Sequence, residues 1–351
     1  MNRLLQHSAI LLFVLCQAVV SPLVSAADQP DAAQRYYERG AGLLRKGDLA
    51  AAAEAVRKAI ELSPSSAEAY RLLGQILFKE RNPSEAIDAF TRAVKLKPKY
   101  AAALNDLAEV YLAQGKSAEA EQTLTRAIDV DPKHADSYLD LAKAYEQRHE
   151  LPDALRTYQR LLMVAPNHPE ALFGLATLYD GQGEAKAASD MLRRLTKSNP
   201  KHANAWYLNG RIAERNNDLI EAAYSYKQAV AAKPDLVDAH YNLGFIYRSQ
   251  GKPTEAEREF LEVLRYRPEY AEAHMNLGVI YTGLNRLEEA EQSYERAVAL
   301  KPDYAEAHYN LGVFYELNRK DLPKALAQYH RYLNLGGRDD RVERIVGTSG
   351  R

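Results

Sequence analysis

The sequence predicts an all-α protein made of about nine stacked helix pairs. The chain has 351 residues, of which 46% are hydrophobic and 26% charged, a composition typical of a soluble globular protein. Prolines recur at a fixed interval of 34 residues, at Pro64, Pro98, Pro132, Pro166, Pro200, Pro234, Pro268 and Pro302. Between the prolines, large and small apolar residues follow a helical period, twice in each interval.

The interval that ends at Pro302 shows the pattern most clearly. Its patterned residues are His274, Leu277, Gly278, Tyr281, Ala290, Tyr294 and Ala297. Steps of three, four and seven residues indicate two amphipathic helices, and the small residues Gly278 and Ala290 would let the helix axes approach closely. Between them, the loop "TGLNR" carries Gly and Asn, which favour a helix end. The proline then ends the second helix, because the residue before a proline is disfavoured in helical geometry.

At these residues the chain resembles the tetratricopeptide repeat family, which has this period and pattern. The resemblance covers 33–337 and implies a right-handed superhelical solenoid of about nine helix-turn-helix repeats, with about 18 helices and no strands. The end repeats depart from the pattern, as expected of caps: Arg39 replaces a leucine, 318–325 contains one extra residue, and Gly337 replaces a proline. Residues 338–351 are expected to form a short helical or frayed tail.

Residues 1–26 are predicted to be a secretory signal peptide. Arg3 supplies positive charge, 9–20 is an almost uncharged apolar run, and "VSA" at 24–26 offers a cleavage site before Ala27. The alternative is an uncleaved membrane anchor, but Pro22 leaves an apolar span shorter than the roughly 20 residues that a bilayer requires. The sequence therefore predicts export across the inner membrane, to a periplasm.

The single cysteine, Cys16, lies inside this apolar run. Attachment of a lipid is the alternative use of Cys16, but Leu15 stands where bacterial lipoproteins have a small residue. Removal of the signal would leave no thiol, which excludes disulfides, a cysteine-ligated metal and a cysteine nucleophile. The net charge of −1, without charge blocks, argues against nucleic acid or an anionic membrane as partner.

No phosphate-binding loop, nucleophile elbow or cofactor motif is present, so we expect no catalytic residues, cofactor or metal. Two series of histidines recur every 34 residues: His134, His168 and His202, then His240, His274 and His308. Stacked helices lie about 8 to 10 Å apart, too far for shared coordination at about 2 Å. The second series occupies a position that carries a large aromatic residue in other repeats, so packing is the preferred interpretation of that series. Five carboxylates are interpreted as helix starts favoured by the helix dipole, with ligand contact as the alternative: Asp136, Glu170, Asp238, Glu272 and Glu306.

The resemblance implies that the first helix of each repeat lines a concave groove. The fifth position of successive first helices is large, at Phe173, Tyr207, Tyr241, Met275 and Tyr309. At about 100° per residue this position points away from the packed face, so we expect these side chains to be exposed in the groove and to bind a partner. The alternative is that they lean onto the neighbouring repeat and stabilise the stack.

A row of asparagines follows at the next position, at Asn242, Asn276 and Asn310. An amide offers both a donor and an acceptor, which suits a peptide backbone of any sequence, and some members of the family bind peptides in this way. Asparagine is also common here across the family, so a purely structural role stays open. Upstream the row becomes Asp106, Asp140, Gly174 and Leu208.

The sequence thus predicts a non-catalytic, periplasmic adaptor that holds an extended peptide or a partner protein in its groove. Resemblance to the family suggests a role in assembling an envelope or secretion machine. The alternatives are a self-assembling structural scaffold and the regulatory arm of an enzyme complex.

Overall fold

A computed structural model describes residues 29–349. This part of the chain is all-α, without a strand. Its helices are α1 (Gln29–Lys46), α2 (Leu49–Leu62), α3 (Ala67–Lys79), α4 (Pro83–Leu96), α5 (Ala101–Ala113), α6 (Ser117–Val130), α7 (Ala135–Gln147), α8 (Leu151–Val164), α9 (Pro169–Gly181), α10 (Ala185–Ser198), α11 (Ala203–Arg215), α12 (Leu219–Ala232), α13 (Val237–Ser249), α14 (Pro253–Tyr266), α15 (Ala271–Gly283), α16 (Leu287–Leu300), α17 (Ala305–Phe314), α18 (Leu322–Asn334) and α19 (Asp340–Ser349).

The helices form two compact units, one ending at Val164 and one beginning at Ala165. From α1 to α18, every odd-numbered helix packs against the even-numbered helix that follows, and within each unit each pair packs on the next. Consecutive first helices also touch, as in α3 with α5 and α13 with α15. The predicted architecture of nine sequential helix pairs is confirmed.

A missing side chain lets the two helices of a pair approach closely. A Cβ built on Gly278 would lie 2.6 Å from the ring of Tyr294, and one on Gly210 would lie 2.6 Å from the ring of Tyr226. Real Cβ atoms do not tolerate such a distance, so the aromatic ring of the second helix occupies the space that the glycine leaves. The predicted role of Gly278 is confirmed.

The first helix of each pair is followed by a residue in the left-handed region, which lets the chain reverse. In order these residues are Gly47, Arg81, Gly115, His149, Gly183, Asn217, Gly251, Asn285 and Lys320. Glycine adopts this geometry without steric cost and asparagine tolerates it, whereas arginine, histidine and lysine are strained.

The repeating prolines terminate the second helices as predicted. Lys301, just before Pro302, has φ −134° and ψ 84°, outside the helical region. The proline carbonyl then accepts a hydrogen bond from the side chain six residues later, such as His308 Nε2 to Pro302 O at 3.1 Å. The same bond is made by Tyr138, Trp206, His240 and His274. The packing interpretation of the second histidine series is confirmed, with this bond as its polar part.

The last pair absorbs its extra residue in a π-helical turn, Tyr315–Arg319, that follows α17. A π turn adds one residue without ending the helix, so the following helix keeps its place against α17. Helix α19 packs on α18 and buries Val342. At the other end, Arg39 is exposed on α1, as expected of a helix with water on one side.

The predicted signal peptide and Cys16 lie outside the described residues. Among the helices of residues 29–349, none combines the length and the apolarity needed to cross a membrane.

Candidate functional site

The fifth residues of the first helices lie at the junctions between consecutive repeats rather than free in a groove. Phe173, Tyr207, Tyr241 and Tyr309 are half-buried, and Met275 is only 3% exposed. Met275 packs with Ala297 and other residues of the adjoining helices. The expectation that Met275 is exposed is therefore wrong, because projecting a single helix ignores the next repeat stacked on it.

Aromatic rings show how these junctions are built. Tyr241 packs against Phe260 of its own pair, with centroids 5.7 Å apart, and against Tyr270, which precedes the next first helix, at 5.3 Å. Three more of these rings contact a residue C-terminal to their own helix: Phe173 contacts His202, Tyr207 contacts Tyr226 and Tyr309 contacts Tyr332. Part of each ring therefore packs against other residues of the same chain.

The asparagines make bonds at the same junctions. Asn242 Nδ2 donates to the hydroxyl of Tyr226 at 3.1 Å, and Asn310 Nδ2 contacts the sulfur of Met275 at 3.5 Å. Asn276 is only 1% exposed, so its expected exposure in the groove is also wrong. Its Nδ2 donates to Glu272 O at 2.7 Å, and its Oδ1 accepts from Arg248.

Asn276 and Asn310 belong to a ladder that joins the fifth residue of one first helix to the sixth residue of the next, 35 positions later. Asn276 reaches Tyr241 at 3.5 Å, and Asn310 reaches Met275. The first unit has the same rungs with other residues: Arg71 Nε donates to Asp106 at 2.6 Å, and Asn105 Nδ2 donates to Asp140 at 2.8 Å. These contacts join consecutive repeats in each unit.

Burial raises the pKa of the Tyr207 and Tyr241 phenols. Hydrogen bonds from Asn242 and Asn276 lower these pKa values, but burial has the larger effect. In the first unit, burial and the charges of Asp140 and Asp106 raise the pKa of the Glu109 carboxyl.

An exposed ring that the sequence analysis missed is Phe245, one turn after Tyr241. Phe245 is 41% exposed, and the guanidinium of Arg248 lies 4.9 Å from its ring centre. The same position carries the half-buried Val279 and Val313 in the next two first helices. We call Phe245, Val279 and Val313 the apolar strip. The sequence could have revealed this strip, because its residues lie four positions after Tyr241, Met275 and Tyr309.

The carboxylates take the structural role foreseen, and one member of the first histidine series caps a helix. All five carboxylates lie in the first turn of a helix, where the interpretation as helix starts is confirmed. His202 Nδ1 accepts from the backbone N–H of Ala205 at 3.1 Å, capping α11. Across the described residues, no three His, Cys, Asp or Glu side chains are grouped as a metal site would require.

Comparisons with known families agree with this geometry. Residues 24–171 match the model of the cytochrome c-type biogenesis protein H TPR domain. Residues 173–237, 241–305 and 283–340 match a tetratricopeptide repeat model. The chain is therefore a tetratricopeptide repeat protein. None of the curated proteins matches it.

Solved structures share the fold. One is PilF of Pseudomonas aeruginosa, 24% identical over 59% of this chain and 94% of that chain, with a TM-score of 0.52. Another is the C-terminal part of a repeat-containing protein from Cytophaga hutchinsonii, 16% identical over 69% of this chain and 99% of that chain, with a TM-score of 0.58.

Proposed function

We propose that the protein is a non-catalytic scaffold of the cell envelope that binds polypeptides during the assembly of c-type cytochromes. The observation that carries this proposal is the match of residues 24–171 to the cytochrome c biogenesis repeat domain. Repeat arrays suit the task because stacked helix pairs present an extended surface to an unfolded chain. Families of this repeat are typically non-catalytic.

The surface we assign to the partner in the second unit is the apolar strip with the accessible edges of Tyr207, Tyr241 and Tyr309. Phe245 is its most exposed ring, and aromatic side chains supply much of the energy of protein interfaces. We place the mature protein in the periplasm, exported by residues 1–26. The ladder contacts of Asn276 and Asn310 join consecutive repeats of this unit.

A genetic experiment tests the pathway. Cells that lack the protein should contain less haem-stained c-type cytochrome, and expression of the parent chain should restore it. Normal cytochrome levels in the deletion strain would contradict a role in this assembly.

A crosslinking experiment tests the surface. A photoreactive amino acid at Phe245 should capture a cytochrome polypeptide that has not received haem. The same group at Gln292, exposed on α16, is the matched control and should not. Capture of a second copy of this chain from position 245 would instead support self-assembly.

A further inference from the structure

The pair formed by α11 and α12 departs from the repeat pattern at three positions. Asn209 stands at the seventh position of its first helix, where other pairs have Leu73, Leu107, Leu141, Leu175, Leu243, Leu277 and Leu311. On α12, Ile220 is 83% exposed and Tyr224 50%. The neighbouring helices α10 and α14 carry polar residues at these positions: Lys186 and Asp190 on one, Thr254 and Arg258 on the other. Asn209 is half-buried, whereas Ile220 and Tyr224 are apolar side chains exposed close together on one helix. Exposed apolar residues that break a repeat pattern often mark a binding surface, so this pair is where a binding site is expected.

The polar residues of this pair form a connected network. Asn209 Nδ2 donates to Glu221 Oε1 at 2.8 Å and to Ser225 Oγ at 2.9 Å, and Ser225 is fully buried. The network fixes one oxygen of the Glu221 carboxylate. Glu221 is exposed on α12, and within the described part of the chain its other oxygen, Oε2, accepts no hydrogen bond and is open to a ligand.

This carboxylate borders a cleft between α10 and α12 whose floor is α11. Two rings line the cleft, Trp206 and Tyr224, with centroids 5.7 Å apart and planes at 85°. Trp206 Nε1 donates to Pro200 O at 2.9 Å, which holds the indole in place.

The charges of the cleft favour a cation. Arg193 also lines it, but its guanidinium is paired with Asp190 at 2.8 Å. Glu221 and Asp218 are the two carboxylates of the lining. Two carboxylates beside aromatic rings suit an ammonium or guanidinium group, because carboxylates and the faces of aromatic rings both attract cations.

We propose that this cleft binds a cationic side chain, lysine or arginine, of a partner protein. The charged group is placed at Glu221 Oε2, and the aliphatic stem lies along Tyr224 and Trp206. The site is formed by α10 to α12 and is separate from the apolar strip, so it does not depend on the proposed role in cytochrome assembly.

Trp206 is the only tryptophan of the chain, so intrinsic fluorescence reports on the cleft directly. The purified protein is titrated with the capped tripeptides Ala-Lys-Ala and Ala-Arg-Ala, and with the neutral analogue that contains norleucine. We expect a saturable change with at least one cationic peptide, with a dissociation constant on the order of 1 mM, and none with norleucine. No saturable change, or an equal response to norleucine, would overturn the proposal.

Matched variants test whether the peptide binds in this cleft. Glu221→Gln should weaken binding about tenfold or more, as expected when a charge-assisted bond is lost. Glu255→Gln, at the corresponding position of α14, should leave binding unchanged. Tyr224→Ala should weaken binding, whereas Tyr266→Ala, at an exposed tyrosine of α14, should not. Equal effects within either pair would place the binding elsewhere.

Asn209→Leu restores the repeat pattern and separates function from folding. We expect this variant to melt at the same or a higher temperature and to bind the cationic peptide more weakly. A variant that melts lower and binds as tightly as the parent would show that the network is structural, and would overturn the proposal.

Discussion

Asn276 on α15 donates from Nδ2 to the phenol oxygen of Tyr241 on α13, 3.5 Å away, and more closely to Glu272 O at 2.7 Å. Its Oδ1 accepts from Arg248, and the side chain is almost fully buried. The amide therefore has all its main bonding directions filled by its own chain. This arrangement favours a fastening role over recognition of a peptide.

We predict that Asn276→Ala lowers the unfolding free energy by about 1 to 2 kcal/mol. Loss of buried hydrogen-bond partners costs about 1 to 3 kcal/mol, and the higher helix propensity of alanine returns up to about 0.7 kcal/mol. Asn310→Ala should cost less, because the sulfur of Met275 is a weak acceptor. Chemical denaturation of both variants measures the difference. Equal or higher stability of Asn276→Ala would show that the amide does not fasten the repeats.

The sequence predicts the helix pairs, the close approach of two helices at Gly278 and the atypical end repeats, because these follow from a period repeated eight times. It failed at Met275 and Asn276 because their exposure depends on a neighbouring helix, and a helical projection treats each helix alone. The ladder was hidden for the same reason: its rungs join residues 35 apart, and their chemistry changes from Arg71–Asp106 to Tyr241–Asn276. The departure from the repeat pattern at Asn209 is visible in the sequence, but the cleft beside it is not.

Two histidines at the same repeat position, His240 and His274, should have pKa values shifted in opposite directions. Burial disfavours the charged form of His240, but its bonds to Glu259 and to Pro234 O outweigh burial and raise its pKa. Burial, with the charge of Arg296, lowers the pKa of His274. NMR titration should place the pKa of His240 above the ordinary value of about 6.5 and that of His274 below it.

The stability contributions of these histidines follow from the signs. The contribution of His240 is fully present below about pH 6.5 and is lost as pH rises through its raised folded pKa. That of His274 is present above about pH 6.5 and is lost as pH falls toward its lowered folded pKa. Substituting each by tyrosine, which makes the same proline bond at Tyr138, should remove the corresponding pH dependence. Identical pH profiles for the two variants would contradict this assignment.

Gly278 and Gly283, both in α15, should respond to alanine in opposite ways. A Cβ at Gly278 would lie 2.6 Å from Tyr294, whereas one at Gly283 would meet nothing within 4 Å. We predict that Gly278→Ala costs about 1 to 3 kcal/mol through overpacking. Gly283→Ala should stabilise by about 0.5 to 1 kcal/mol through helix propensity. Thermal melting of both variants checks the sign, and a neutral Gly278→Ala would mean that the helix pair can separate without loss.

The amino terminus gives a prediction about export. If residues 1–26 are a signal peptide, the protein isolated from its host should begin at Ala27 and contain no thiol, since Cys16 is the only cysteine. Intact-mass measurement and a thiol-reactive dye check both points. Retention of Cys16, or a lipid on it, would replace the periplasmic assignment with membrane anchoring.

The left-handed residues between the helices of each pair offer a test of backbone strain. His149 has φ +60° and Gly183, one repeat later, has φ +79°. A left-handed conformation costs a residue with a Cβ about 1 to 2 kcal/mol, while glycine loses about 0.5 to 1 kcal/mol more backbone entropy on folding. We therefore predict that His149→Gly raises the unfolding free energy by about 0.5 to 1 kcal/mol, and that Gly183→Ala lowers it by a similar amount. Asn285→Gly, at φ +58°, should raise the unfolding free energy by less than His149→Gly does. Asparagine tolerates the left-handed region because its short polar side chain can form local hydrogen bonds. Chemical denaturation orders the three variants, and a gain at Asn285 as large as that at His149 would show that the strain is not set by the side chain.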